Sequence, residues 1–149
     1  MQRLNFQISI NAPADKVAKI MLGKETFKLW TVEFEPTSDF VGSWGKGDKI
    51  YFTSTDSDSK KSGMVSEIAE HIPNKFVSIR HYGILDDGRE ILEGEQVEKW
   101  AGGFENYIFE EIDGITTVKV ELDTTEETIP YFNLTYPKAL GRLKELCEK

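Results

Sequence analysis

Glu105 and His81 are the residues with most chemistry to offer, and their importance follows from where a turn places them. Asp113-Gly114 is a strong hairpin signal, because both central positions of a two-residue turn favour positive φ. With these residues as the turn, Ile112 falls opposite Ile115, Glu111 opposite Thr116 and Phe109 opposite Val118. Tyr107 then meets Val120, and Glu105 meets Leu122. Faces alternate along strands, so Glu105 shares a face with Tyr107, Phe109, Val118, Val120 and Leu122. A carboxylate is not stable unpaired in dry protein. Three placements meet that constraint: a β-bulge before Tyr107 turning Glu105 outward, a half-solvated rim, or the wall of a cavity. In Phe76–Tyr82, Val77, Ile79 and His81 share one face, expected inward, and Ser78, Arg80 and Tyr82 share the other. A lone inward histidine is commonly structural. Beside an inward carboxylate, it would instead complete an acid–base pair able to move a proton.

Other candidate groups carry less. Asp56 and Asp58 lack the third ligand, the glycine and the distal glutamate of a calcium loop, so Thr55–Gly63 is expected to be a solvated hairpin loop. His71 and His81 are ten apart and there is no cysteine pair, so no metal motif is formed and no metal is expected. No nucleophile triad or nucleotide loop is legible, and no cofactor is expected. Cys147 is the single cysteine and is expected on a helix face.

These groups need elements to hold them. Leu4, Phe6, Ile8 and Ile10 alternate with polar residues, which is a strand with one wet face. Pro13 suits a first helical turn, Val17, Ile20 and Met21 form a helical stripe, and Gly23 reads as its stop. A second short helix holds Phe27, Leu29 and Trp30. Strands are expected at Ile50–Ser54, Met64–Ile72 and Phe76–Tyr82. Gly83–Gly103 reads as a long glycine-punctuated excursion with a turn at Asp87-Gly88, and loops of that length are often functional. On the last hairpin, Asn106, Ile108, Glu110, Thr117, Lys119 and Glu121 form a mostly wet outer face. Phe132, Tyr136, Leu140, Leu143 and then Leu146 or Cys147 recur at helical spacing, with Thr128 as the expected N-cap. Pro137 either kinks that helix or starts one of its own.

The chain has 149 residues, which suits one domain spanning 1–149. Its net charge of −8 argues against nucleic acid and anionic membrane surfaces, which attract basic patches. One cysteine and no membrane-spanning or leader-like run fit a reducing cytoplasm. Either a monomer or a homodimer is compatible, the latter through a sheet edge or the apolar patch around Ile108.

Strand, two short helices, a run of antiparallel strands and a long C-terminal helix resemble the helix-grip fold of the START-like, birch-pollen-allergen-like (SRPBCC) superfamily. Within it the chain is most similar to the Aha1-like family, homologues of a heat-shock-chaperone ATPase activator. The similarity lies in the order and spacing of ISINAPADKVAKIM at Ile8–Met21, FKLWTVEFEP at Phe27–Pro36, GMVSEIAEHIPNKFVSIRHYG at Gly63–Gly83, FENYIFEEIDGITTVKVELD at Phe104–Asp123, and YPKALGRLKEL at Tyr136–Leu146. Tyr136-Pro137 departs from the Trp that relatives often carry there. The resemblance implies an α+β fold in which about seven antiparallel strands curl around the long helix, with a hydrophobic cavity between them.

Three functions then compete. The first is binding of a hydrophobic small molecule (a lipid, polyketide or aromatic metabolite). Trp30, Phe52, His81, Trp100, Glu105, Tyr107, Val120, Phe132 and Tyr136 are the expected lining, and Trp100 would sit on a lid formed by Gly83–Gly103. The second is a stress-response interaction module with a chaperone as partner. The third is a cyclase- or dehydratase-like enzyme using Glu105 and His81. Catalysis is the weakest of the three, because no site signature accompanies the pair.

Overall fold

A computed structural model describes residues 1–149. β1 (Gln2–Ile10) leads into α1 (Ala14–Leu22) and α2 (Phe27–Thr31). Strands β2 (Asp39–Gly42), β3 (Lys49–Thr55), β4 (Lys61–Ile72), β5 (Phe76–Asp86) and β6 (Arg89–Ile91) follow. A short α3 (Glu95–Glu98) precedes the hairpin of β7 (Gly103–Ile112) and β8 (Ile115–Thr124). A 3-10 turn (Glu126–Thr128) then starts α4 (Ile129–Cys147). The antiparallel sheet runs β1-β8-β7-β5-β4-β3-β2, and β6 continues along the edge of β5 beyond the end of β7. The sheet curls around α4, which is the helix-grip arrangement. No helix is long and apolar enough to cross a membrane.

The β7–β8 register is the one dictated by the Asp113-Gly114 turn, with Ile112 on Ile115, Tyr107 on Val120 and Glu105 on Leu122. Asp113 and Gly114 have φ of 52° and 81°, the left-handed values such a turn requires. The register is unbroken from Glu105 to Ile112, so no bulge turns Glu105 outward. The apolar face of this hairpin joins β1, α1, α2 and α4 in one core containing Ile10, Val17, Met21, Trp30, Leu140 and Leu143. Trp30 is fully buried, and its indole N–H donates to the Met21 carbonyl at 3.0 Å, so its one polar atom is satisfied.

Several local expectations are corrected. Gly83–Gly103 is not one long loop. β5 runs on to Asp86, turns at Asp87-Gly88 and returns as β6. The next segment is anchored by buried Val97, and the Gly102 N–H donates to the His81 carbonyl at 2.8 Å. β4–β5 pairing slips at Tyr82: Val65 pairs with Gly83, but Ser66 pairs with His81. That extra residue reverses the facing of the rest of β5, since side-chain direction alternates with period two. Ile84 therefore pairs with inward Met64, while Gly83 and Leu85 turn to the convex side with Val65. A Cβ at Gly83 would lie 3.1 Å from the Ile91 carbonyl and 3.2 Å from Val65 Cβ, so β6 and β4 approach closely there. Val65, Leu85 and Val97 are buried outside the main core, so part of the convex face is dry. Ser78 and Asn106, paired across β5 and β7 on that face, are also buried rather than wet.

Pro137 lies inside a single helix from Ile129 to Cys147 and does not start its own. Thr128 occupies the N-cap position, but its hydroxyl caps no helix N–H and instead donates to the Thr125 carbonyl at 2.9 Å. Gly23 ends α1 with φ of −68°, not the left-handed value, so its role is spatial. A Cβ there would lie 2.5 Å from Thr26 Oγ1.

Candidate functional site

A pocket of about 410 Å³ lies between the concave face of the sheet and the N-terminal half of α4. The strand period supplies its floor. Glu105, Tyr107 and Leu122 come from the β7–β8 hairpin, His81 from β5, and Phe52 and Met64 from β3 and β4. The helical period supplies its roof, because Phe132 and Tyr136 lie one turn apart on α4. α2 and the turn after it add Trp30 and Phe34. Trp100, exposed Glu35 and Tyr131, 42% exposed, stand where the pocket meets solvent.

Of the residues expected to line a cavity, Trp30, Phe52, His81, Trp100, Glu105, Tyr107, Phe132 and Tyr136 do surround this pocket. Val120 does not. It is fully buried in the main core, directly opposite Tyr107 on β8 and paired on its other side with Phe6 of β1. Trp100 reaches the pocket from the anchored end of the α3 segment rather than from a free lid. Its indole N–H donates to the Gln96 carbonyl at 2.9 Å.

Glu105 and His81 meet, and two further residues hold them. His81 Nε2 lies 2.9 Å from Glu105 Oε1, and His81 Nδ1 lies 2.6 Å from Ser66 Oγ. The Tyr136 hydroxyl donates to Glu105 Oε2. A carboxylate only accepts, so the proton of the Glu105–His81 bond sits on Nε2, and in the neutral ring Nδ1 accepts from the Ser66 hydroxyl. Both ring nitrogens and both carboxylate oxygens are thereby engaged, which fixes the orientation of each group. The His81 and Glu105 side chains are 8% and 17% exposed, so the pair is largely desolvated, yet Glu105 still reaches the pocket. Phe52 packs edge-on to the imidazole at 5.7 Å. Tyr136 is held by stacking on Phe6 at 4.9 Å and by the edge contact with Phe34 at 4.9 Å. Burial first, and the Glu105 charge second, hold the Tyr136 and Tyr107 phenols well above their ordinary pKa, so both stay protonated.

Ser66 and Phe34 were not expected at the site. Ser66 was legible in part, since Met64, Ser66 and Ile68 alternate onto one face, but its partner could not be read across a bulge. Phe34 follows a helix end, where no period reports its direction. Asp123, also in the pocket wall, was likewise unmarked. It accepts from Arg3 Nε at 2.8 Å and from the Phe104 N–H at 3.0 Å, which together hold its carboxyl below the ordinary range. No group of three or more His, Cys, Asp or Glu side chains is arranged to hold a metal ion.

Solved structures share this architecture. The Aha1 dimer from Colwellia psychrerythraea superposes with a TM-score of 0.72 at 21% identity, over 99% of this chain and 97% of that one. CalU16 from Micromonospora echinospora gives 0.67 at 14% identity, over 97% of this chain and 73% of that one. DynU16, a protein of the dynemicin biosynthetic locus, gives 0.69 at 14% identity, over all of this chain and 48% of that one. No protein-family model matches the sequence, and no curated protein does. This chain shares the fold of these structures, the helix-grip arrangement of curled sheet and long C-terminal helix.

Proposed function

We propose that this protein binds a hydrophobic small molecule, flat or elongated, in the pocket between the sheet and α4. One observation carries the proposal: an aromatic-walled hollow of about 410 Å³ with a buried, geometrically fixed Glu105–His81 pair in its wall. Small-molecule sites have this composition, a mostly apolar concavity with a few placed polar groups. A carboxylate kept in such a wall costs stability through desolvation, and a ligand donor that meets it offsets that cost. The molecule would lie against Phe52, Phe132 and Trp100, with its polar end at Glu105.

Thermal unfolding of the protein against a panel of hydrophobic small molecules tests this, with tryptophan fluorescence as a second signal. A ligand of the native state raises the midpoint in a concentration-dependent way. Phe132→Ala, which truncates a half-buried wall residue, should then weaken that ligand roughly fivefold or more by removing apolar contact area. If no compound in a broad panel moves the midpoint, or if Phe132→Ala leaves the affinity unchanged, the pocket is not the binding site.

A further inference from the structure

We infer that the pocket selects a cation: an apolar molecule, aromatic or aliphatic, bearing a protonated amine that docks on Glu105. The inference rests on the ligand-binding proposal above and names the ligand's charge. Of the 24 residues that line the pocket, nine are aromatic and none is Lys or Arg. Three are carboxylates, Glu35, Glu105 and Asp123. Asp123 is already paired with Arg3, and Glu35 is exposed at the mouth. Glu105 alone is both deep and without a Lys or Arg partner. Its two hydrogen-bond donors, His81 Nε2 and Tyr136 Oη, each take one lone pair and leave acceptor sites on both oxygens.

The physical consequence is a sign preference. An ammonium group entering the pocket meets a fixed carboxylate in a poorly solvated site, where an ion-assisted hydrogen bond is about twice as strong as a neutral one. Aromatic faces around it favour cations further through their quadrupoles. A carboxylate ligand of the same shape would bring a second anion to Glu105 with no Lys or Arg in the wall to receive it. A neutral alcohol would find the acceptor but not the charge. Glu105 is thus a specificity group rather than a mere polar patch, and His81, Ser66 and Tyr136 are positioning residues that keep it aimed.

The test uses two matched series on the intact protein: 1-naphthylmethylamine, 1-naphthalenemethanol and 1-naphthoic acid, and then decylamine, decanol and decanoic acid. Dissociation constants come from calorimetry at a pH where the amines are cationic and the acids anionic. The expected order is amine, alcohol, acid, with roughly tenfold or more between amine and acid. In Glu105→Gln, checked for folding by thermal melt, the amine should lose roughly tenfold while the alcohol changes little. The ranking on the unaltered protein stands as a test even if that variant fails to fold. An acid or alcohol that binds as tightly as its amine overturns charge selection and leaves hydrophobic binding intact. An amine affinity unchanged in a folded Glu105→Gln protein overturns it too. If none of the six compounds binds, the ligand-binding proposal falls, and this inference with it.

Discussion

The two halves of α4 cover the same sheet and do opposite things with it. Toward the C-terminus, Ala139, Leu140, Leu143 and Cys147 are essentially inaccessible and belong to one core with Ile10, Val17, Met21 and Val118. Toward the N-terminus, Phe132 is only half-buried, Tyr131 and Leu134 are exposed, and the space beneath holds a pocket instead of side chains. Tyr136, followed directly by Pro137, stands at the boundary, and its hydroxyl goes to Glu105 rather than into hydrocarbon contact. Pro137 lacks an N–H, so the Asn133 carbonyl loses its helical partner where packing gives way to pocket. The packed half accounts for stability. The hollow half spends some of it on a desolvated carboxylate, as binding sites commonly do.

Leu140→Ala separates the halves most sharply. Leu140 is 1% exposed, and deleting a fully buried leucine side chain costs about 2–5 kcal/mol. Phe132→Ala, in contrast, should cost well under that despite the larger side chain removed. Urea unfolding of both proteins reads the difference, and equal losses would mean that the roof of the pocket is part of the load of the core. Tyr136→Phe comes next. It keeps the ring stacked on Phe6 but removes the donor to Glu105 Oε2, at about 1.5–3 kcal/mol for a hydrogen bond to a charged group. A loss of unfolding free energy below a few tenths of a kcal/mol would show that water replaces the phenol and that the boundary is wetter than the packing implies.

The smallest effect concerns Cys147 at the far end of the dry half. Burial pushes its thiol from 9.0 up to about 11. The protonated thiol is the form the folded state favours, so this contribution to stability is complete below pH 9 and is lost as pH rises through about 11. At pH 8 the thiol should label slowly in the native protein and quickly in urea, since the thiolate is the nucleophile. Rapid native labelling would place Cys147 in a loosened C-terminal turn and weaken the contrast between the halves.

Much of this contrast was written locally. The Asp113-Gly114 turn determined the pairing of β7 with β8, because a two-residue turn leaves one register, and that register placed Glu105 on the apolar face. Period two placed Val77, Ile79 and His81 on a common face, and period 3.6 aligned Phe132, Tyr136, Leu140 and Leu143. What the tertiary structure decided was which of these became wall and which became core. Val120 and Tyr107 alternate onto one face, yet only Tyr107 borders the pocket, since the separation of helix from sheet is not a property of either segment. The slip at Tyr82 reversed the facing of Gly83 and Leu85, and no local pattern announces one extra residue in a strand. The meeting of Ser66, His81, Glu105 and Tyr136 joins three strands and a helix far apart in the chain. Local sequence sets the direction in which each side chain leaves its own backbone. Only the packed whole brings four such directions to one point.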